Sequence, residues 1–151
     1  MMEPVKVVFG EMSLTAPPDW TFVPTENFVL ARRDSQIGVL QITQLEVNSL
    51  PELSPSAILA AAQQLISKEP LPEPLEVKSP VANGYLFGAA SFRTRQKGRD
   101  LFTRVIYLLR DDHLVVGVYG CPWKLRNHAA AHEELSQCEK MILTAQFSSP
   151  K

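Results

Sequence analysis

The chain has 151 residues, 45% of them hydrophobic and 21% charged, so it can bury a core without a disulfide framework or a structural metal. Its net charge of -1 argues against a broad nucleic-acid-binding face, although a local basic patch is compatible with it. The N-terminus has no basic and apolar leader, and no segment approaches the roughly 20 apolar residues of a membrane span. These observations predict a cytoplasmic protein.

The first half of the chain is predicted to form mainly strands. The candidate segments are residues 5–9, 12–15, 28–32 and 38–45. In the last of them, apolar residues mix with Gln41, Thr43 and Gln44, as in a sheet with one well-covered face. Residues 33–36, Arg-Asp-Ser-Gln, are typical of a turn.

A helix is predicted from Ser54, which can cap it, and Pro55, which fits its first position, to about Lys68. Its apolar positions recur at i, i+3, i+4 and i+7: Ile58, Ala61, Ala62 and Leu65. The alternating prolines of residues 70–74 cannot continue the helix. They have no P-x-x-P spacing, so a structural connector is favoured over a peptide ligand for a partner domain.

The second half predicts an antiparallel meander followed by a long helix. Strands are expected after Asn83-Gly84 at residues 85–95, 99–110 and 113–119, because connections this short cannot join parallel neighbours. The closing helix is expected over residues 125–145, with one apolar stripe: Ala131, Leu135, Cys138, Ile142 and Ala145. The fold class is therefore α+β: a single domain over residues 1–151, with an antiparallel sheet of about six or seven strands and two main helices.

One candidate for chemistry is a metal or thiol site. His128 and His132 are one helical turn apart, and Cys121 or Glu133 could complete a metal site. The glutamate that follows the first histidine in metalloprotease helices is absent. Cys121 stands near a helix start, where a thiol can become a nucleophile, but a buried hydrophobic role is the simpler interpretation. With no phosphate-binding or serine-hydrolase motif, we expect neither a catalytic site nor a cofactor.

The strongest charge feature is the predicted hairpin tip with Arg93, Arg95, Lys97 and Arg99. Such a cluster could hold a phosphate, an acidic peptide or a nucleic-acid backbone. Exposed hairpin tips also carry cations that prevent aggregation, and this protective role is the alternative.

Aromatic residues on neighbouring strands mark a second candidate surface. Both parities of the two long strands carry apolar residues, so both sheet faces should be covered at least in part. Two helices leave room for an incompletely covered face, which could hold a segment of another protein. Phe102, Tyr107 and Tyr119 are the residues predicted to form it.

Three parts of the sequence resemble the PsbP-like α+β fold. They are residues 14–20 (Leu-Thr-Ala-Pro-Pro-Asp-Trp), the helix from Ser54 to Lys68, and the end of the chain, where strand 114–121 precedes Pro122-Trp123, the long helix and Thr144-Ala145-Gln146-Phe147. This fold is shared by the photosystem protein PsbP, the Ran-binding Mog protein and small bacterial proteins that include chaperones for secreted effectors. The resemblance implies a binding protein rather than an enzyme, with another protein or peptide segment as its partner.

One departure from the secreted members of this fold bears on the role. The sequence has no signal or lipidation cysteine at its start, which argues against a photosynthetic or envelope role. The leading hypothesis is therefore a cytoplasmic, non-enzymatic protein-binding module, such as a bacterial chaperone or adaptor.

Overall fold

The computed structural model describes residues 3–66, 73–78 and 85–148. Within these ranges the strands are β1 (Val5–Phe9), β2 (Met12–Ala16), β3 (Trp20–Pro24), β4 (Val29–Arg33), β5 (Val39–Leu45), β6 (Glu76–Lys78), β7 (Leu86–Gln96), β8 (Arg99–Arg110), β9 (His113–Pro122) and β10 (Gln146–Phe147). The α-helices are α1 (Pro55–Ile66) and α2 (Ala129–Leu143), and short 3-10 turns cover Val47–Ser49 and Trp123–Leu125.

The larger sheet has the strand order β3-β4-β5-β9-β8-β7-β6, and each neighbouring pair is antiparallel. Strands β7, β8 and β9 form the predicted meander. Their two connections are two-residue turns, and the central residues of both have positive φ: Lys97 and Gly98 in the first, Asp111 and Asp112 in the second. Turns of this kind match the right-handed twist of the strands that they join.

The smaller sheet has the order β1-β2-β10 and joins the two ends of the chain. Its last strand follows directly from α2, and the Thr144 hydroxyl accepts a hydrogen bond of 2.9 Å from the Thr15 amide. Phe9 and Phe22 lie with ring centroids 5.6 Å apart, which ties the smaller sheet to the larger one.

The two helices pack on opposite faces of the larger sheet, because alternate residues of its strands point to opposite sides. Helix α2 covers one face, called here the α2 face, where Cys138, Met141 and Ile142 pack with Ile106 and Leu108. Helix α1 covers part of the other, the α1 face. The cluster there contains Ile58, Ala62, Ala90, Phe92, Val105, Tyr107, Leu114 and Val116. The Ser54 hydroxyl accepts from the Ala57 amide at 3.2 Å, as a capping serine should.

The predicted α+β class is confirmed, with differences at particular elements. Three strands were not predicted: β3, the short edge strand β6 and the two-residue strand β10. Helix α2 begins at Ala129, not at residue 125, because the His128 imidazole accepts from the Ala130 amide and caps the helix there. Lys68, the connector residues 70–72 and the Asn83-Gly84 turn lie outside the described residues.

Candidate functional site

The structure places two of the three aromatic residues that were predicted to face a partner inside the protein. Tyr107 is 1% exposed in the cluster beneath α1, and Tyr119 is 1% exposed beneath α2. Both side chains are covered because the helices lie directly over the central strands. This corrects the expectation of a surface formed by these two rings. Phe102 is half-buried, at the margin of the α2 face.

Among the described residues, an incompletely covered part of the larger sheet lies elsewhere, on the α1 face of β3, β4 and β5. We call this surface the open half-sheet; its residues, which share a face through the register, are Thr21, Val23, Leu30, Arg32, Val39, Gln41 and Thr43. Val23 is 54% exposed, and Leu30 and Val39 are half-buried. None of these three apolar side chains belongs to either cluster of described core residues.

The open half-sheet contains a groove of 440 Å³, whose lining includes Val23, Leu30 and Val39. The groove reaches the turn between β4 and β5 through Asp34 and Gln36. Within the described part of the larger sheet, β3 pairs only with β4, so it is an edge strand. An apolar strip beside a free strand edge is a geometry that extended peptide segments use for binding.

A second concave surface lies on the α2 face, between α2 and strands β6 to β8. It is a cavity of 410 Å³, called here the Trp123 cavity. Its lining is Leu75, Glu76, Ser91, Phe102, Arg104, Trp123, Arg126, Asn127, His132, Leu135, Ser136 and Glu139. The predicted partner residue Phe102 therefore contributes to a mixed apolar and polar pocket.

The Trp123 ring carries two guanidinium groups close to it. The Arg126 guanidinium carbon is 3.8 Å from the ring centroid and that of Arg93 is 4.5 Å from it. A guanidinium cation is attracted to the face of an aromatic ring, because the π electrons make that face negative. Arg126 is also held by donating from Nη1 to the Trp123 carbonyl oxygen at 2.7 Å.

Arg104 is a buried cation at the wall of this cavity. Its guanidinium donates to Glu139 Oε1 at 2.9 Å and to the Ser91 hydroxyl at 2.5 Å. Glu76 lies 3.8 Å away, and Lys78 contacts Glu139 at 3.6 Å. These contacts compensate the buried charge, so Arg104 belongs to a closed network rather than to the basic hairpin.

The four predicted anion-binding residues lie on different parts of the hairpin. Arg93 and Arg95 are exposed on the α2 face, and Arg93 contacts Asp100 at 2.9 Å. This contact lowers the pKa of the Asp100 carboxyl. Arg99 lies on the α1 face, because it alternates along β8 in step with Val105 and Tyr107 of the cluster beneath α1, and Lys97 lies in the turn itself. The charges are close in sequence but do not converge on one point.

The predicted metal or thiol site is likewise dispersed. His128, which caps α2, and His132, within α2, are exposed, whereas Cys121 is buried. No three histidine, cysteine or acidic residues of the described chain lie close enough together to hold a metal ion. Burial raises the pKa of the Cys121 thiol, which disfavours the thiolate needed for nucleophilic attack.

Glu134 of α2, which no sequence motif marks as a candidate site residue, is fully buried. From described residues, its Oε2 accepts from the Ser35 hydroxyl at 2.6 Å and the Ile37 amide at 3.0 Å. Its Oε1 accepts from the Gly38 amide and the Tyr119 hydroxyl, each at 2.9 Å. The carboxylate therefore fastens the turn before β5 to α2. In the sequence, the position of Glu134 within the apolar stripe of the helix is the available signal of its burial.

The buried Cys138 thiol and Tyr119 phenol near Glu134 predict that the protein loses stability at alkaline pH. Burial is the main cause that raises the pKa of Cys138 well above its ordinary value of 9.0, with the Glu134 charge adding to it. Burial and then the hydrogen bond to Glu134 raise the pKa of Tyr119. The unfolded chain therefore releases these protons first, and the free energy of unfolding falls as pH rises above about 9.

Urea unfolding between about pH 8 and 10 should show this decline. A Cys138→Ala variant, which cannot titrate there, should lose about 1 kcal/mol less than the wild type over the same interval. Equal losses in the two proteins would contradict the assignment to Cys138.

Several solved structures of other proteins are similar to the fold of this chain. A structure from Bacteroides thetaiotaomicron VPI-5482 matches with a TM-score of 0.62 and 15% identity; the match covers 99% of this chain and half (50%) of that one. A point mutant of the protein Mog1 matches with a TM-score of 0.65 and 12% identity, over 97% of this chain and 96% of that chain. Cyanobacterial PsbP from Synechocystis sp. PCC 6803 matches with a TM-score of 0.59 and 9% identity, over 98% and 94% respectively.

The chain therefore has a PsbP/Mog-like α+β fold, and the resemblance stated from the sequence is confirmed. Identities this low establish the fold alone. No family model matches the sequence, and no curated protein sequence matches it. Neither described helix is long and apolar enough to cross a membrane.

Proposed function

We propose that this protein is a non-enzymatic binding module that holds an apolar segment of another protein on the open half-sheet, as a chaperone or adaptor does. The observation that carries the proposal is the row formed by Val23, Leu30 and Val39, which lies outside both core clusters and lines a 440 Å³ groove. Burying apolar surface stabilises a complex by about 25 cal/mol per Å² before the costs of association. A partner segment that covers this row has a source of affinity.

The edge of β3 that pairs with no described strand adds only limited backbone recognition to the apolar row. The Trp20 amide already donates to the Pro17 carbonyl oxygen at 3.3 Å and Pro24 has no N–H, so an extended segment laid beside Trp20–Pro24 would be held mainly by the side chains that it places over the open half-sheet. Cys121 and Cys138 are free thiols, which supports a reducing compartment, and we place the protein in a bacterial cytoplasm.

The two alternatives have weaker support. An anion site at the hairpin needs Arg93, Arg95, Lys97 and Arg99 to converge, whereas Arg93 is engaged with Asp100 and Arg99 lies on the opposite face. A metal- or thiol-dependent enzyme needs Cys121 beside His128 and His132. Cys121 is buried with a raised pKa, and both histidines are exposed.

Site-specific photocrosslinking in cells of the native host tests the proposal. A photoreactive benzoylphenylalanine in place of Val23 should give a discrete covalent adduct with a partner protein. The matched control is the same replacement at Val8, a valine of the smaller sheet that is 61% exposed against 54% for Val23. The adduct at residue 23 should disappear in a Leu30→Asp background.

The circular dichroism spectrum of the Leu30→Asp protein must match that of the wild type, so that loss of the adduct reports the surface and not the fold. Absence of an adduct at residue 23, or identical adducts at residues 8 and 23, would overturn the proposal.

A further inference from the structure

The Trp123 cavity is separate from the open half-sheet, since it lies on the opposite face of the larger sheet. Its 410 Å³ falls within the range of about 300–1,000 Å³ that is usual for small-molecule sites. Phe102, Trp123 and Leu135 supply apolar walls from three different elements. The cavity therefore combines a suitable size with a substantial apolar lining.

Two polar side chains of α2 reach this cavity without a partner in the described chain. His132 and Ser136 are one turn apart and share the helix face that continues to Glu139. No hydrogen bond joins the side chain of His132 or Ser136 to any described residue. Glu139, in contrast, is engaged by Arg104 and Lys78.

The charges of the lining leave one cation uncompensated. Both lining carboxylates, Glu76 and Glu139, are within 3.8 Å and 2.9 Å of Arg104. Arg126 has no carboxylate within ion-pair distance among described residues and donates from Nη1 to a backbone carbonyl. Its Nε and Nη2 make no hydrogen bond to a described residue and remain for a ligand. Because its guanidinium is stacked on Trp123, it is already oriented before a ligand arrives.

We propose that the Trp123 cavity binds a small carboxylate with an apolar body. The carboxylate accepts from the free donors of Arg126, and His132 and Ser136 add polar contacts from α2. The apolar body lies against Phe102 and Leu135. Charge-assisted hydrogen bonds to arginine and burial of the apolar body supply the affinity.

An NMR titration of the full ¹⁵N-labelled chain tests the proposal, with 4-phenylbutyrate as the probe and its uncharged amide as the matched comparison. The indole N–H signal of Trp123 should shift and saturate with 4-phenylbutyrate. The indole N–H of Trp20, which donates to Gln137 Oε1 at 2.7 Å outside the cavity, should not move. The carboxylate should bind about tenfold more tightly than the amide.

Two variants and a control locate the binding. Arg126→Gln should weaken 4-phenylbutyrate binding about tenfold, whereas Arg32→Gln, which removes an exposed arginine of the open half-sheet, should leave it unchanged. Ser136→Phe should abolish binding by filling the cavity from α2, and an unchanged Trp20 indole signal shows that the variant is folded.

Several results would overturn the proposal. They are no shift of the Trp123 signal at millimolar probe, equal shifts of both indoles, equal affinity for the amide, or an Arg126→Gln protein that binds as the wild type does.

Discussion

Replacing Glu134 by alanine should lower the free energy of unfolding by about 3–4 kcal/mol. The side chain is 0% exposed, and alanine leaves the Ile37 and Gly38 amides and the Tyr119 hydroxyl without their acceptor. A buried donor without a partner costs about 1–3 kcal/mol, so losing several at once is severe. Urea unfolding monitored by circular dichroism measures the effect.

The neighbouring residue offers a matched control. Glu133 is 56% exposed in its ion pair with Arg33, and Glu133→Ala should cost less than about 1 kcal/mol. Similar losses for the two alanine variants would contradict the role assigned to Glu134.

Glutamine at position 134 should be intermediate, for a geometric reason. Each carboxylate oxygen accepts from one backbone amide, Oε2 from Ile37 and Oε1 from Gly38. A glutamine has one oxygen and one NH₂ group, so in either orientation its NH₂ group faces a backbone N–H. We therefore expect Glu134→Gln to keep part of the attachment and to cost less than alanine.

Replacing Gly38 by alanine should lower the free energy of unfolding by about 2–3 kcal/mol. A Cβ atom at this position would lie 2.6 Å from the Gly120 carbonyl oxygen and 2.6 Å from the Tyr119 hydroxyl. Neither neighbour can move freely, because Gly120 lies in paired β9 and the Tyr119 hydroxyl is held by Glu134. The clash would separate β5 from β9 at this point.

Gly120 supplies the control for this variant. A Cβ atom at Gly120 would meet its nearest neighbour, the Phe102 carbonyl oxygen, at 3.9 Å, which is ordinary contact. Thermal unfolding should therefore place Gly120→Ala close to the wild type and Gly38→Ala well below it. Equal melting temperatures for the two variants would show that close approach at Gly38 does not limit stability.

Local signals were sufficient for most elements of the fold. The Ser54-Pro55 pair located the start of α1, since the cap and the first-turn proline act within a few residues. The short connections around Gly98 and Asp111 predicted an antiparallel meander, because a two-residue link permits no other arrangement. The sequence of strand β6 carries no such local signal. Its three residues form a strand because they pair with β7.

The candidate sites depended more on packing between distant parts of the chain. Periodicity placed Cys138 inward, and residue 134 lies one turn before it. Periodicity does not say that a glutamate there will be buried, because the donors that satisfy its oxygens come from residues 35–38 and Tyr119. The burial of Tyr119 likewise follows from where α2 lies over the sheet.

Periodicity, caps and turns within short windows of the sequence are enough to define the α+β class, the antiparallel meander and the two helices. Which surfaces stay open depends instead on how the helices pack on the larger sheet. Helix α1 packs over the strands at the β7 and β8 side of the larger sheet, and β3 to β5 extend beyond it, so Val23, Leu30 and Val39 remain accessible. Strand order arises from pairings distant in sequence, such as β5 with β9, and no local pattern encodes it.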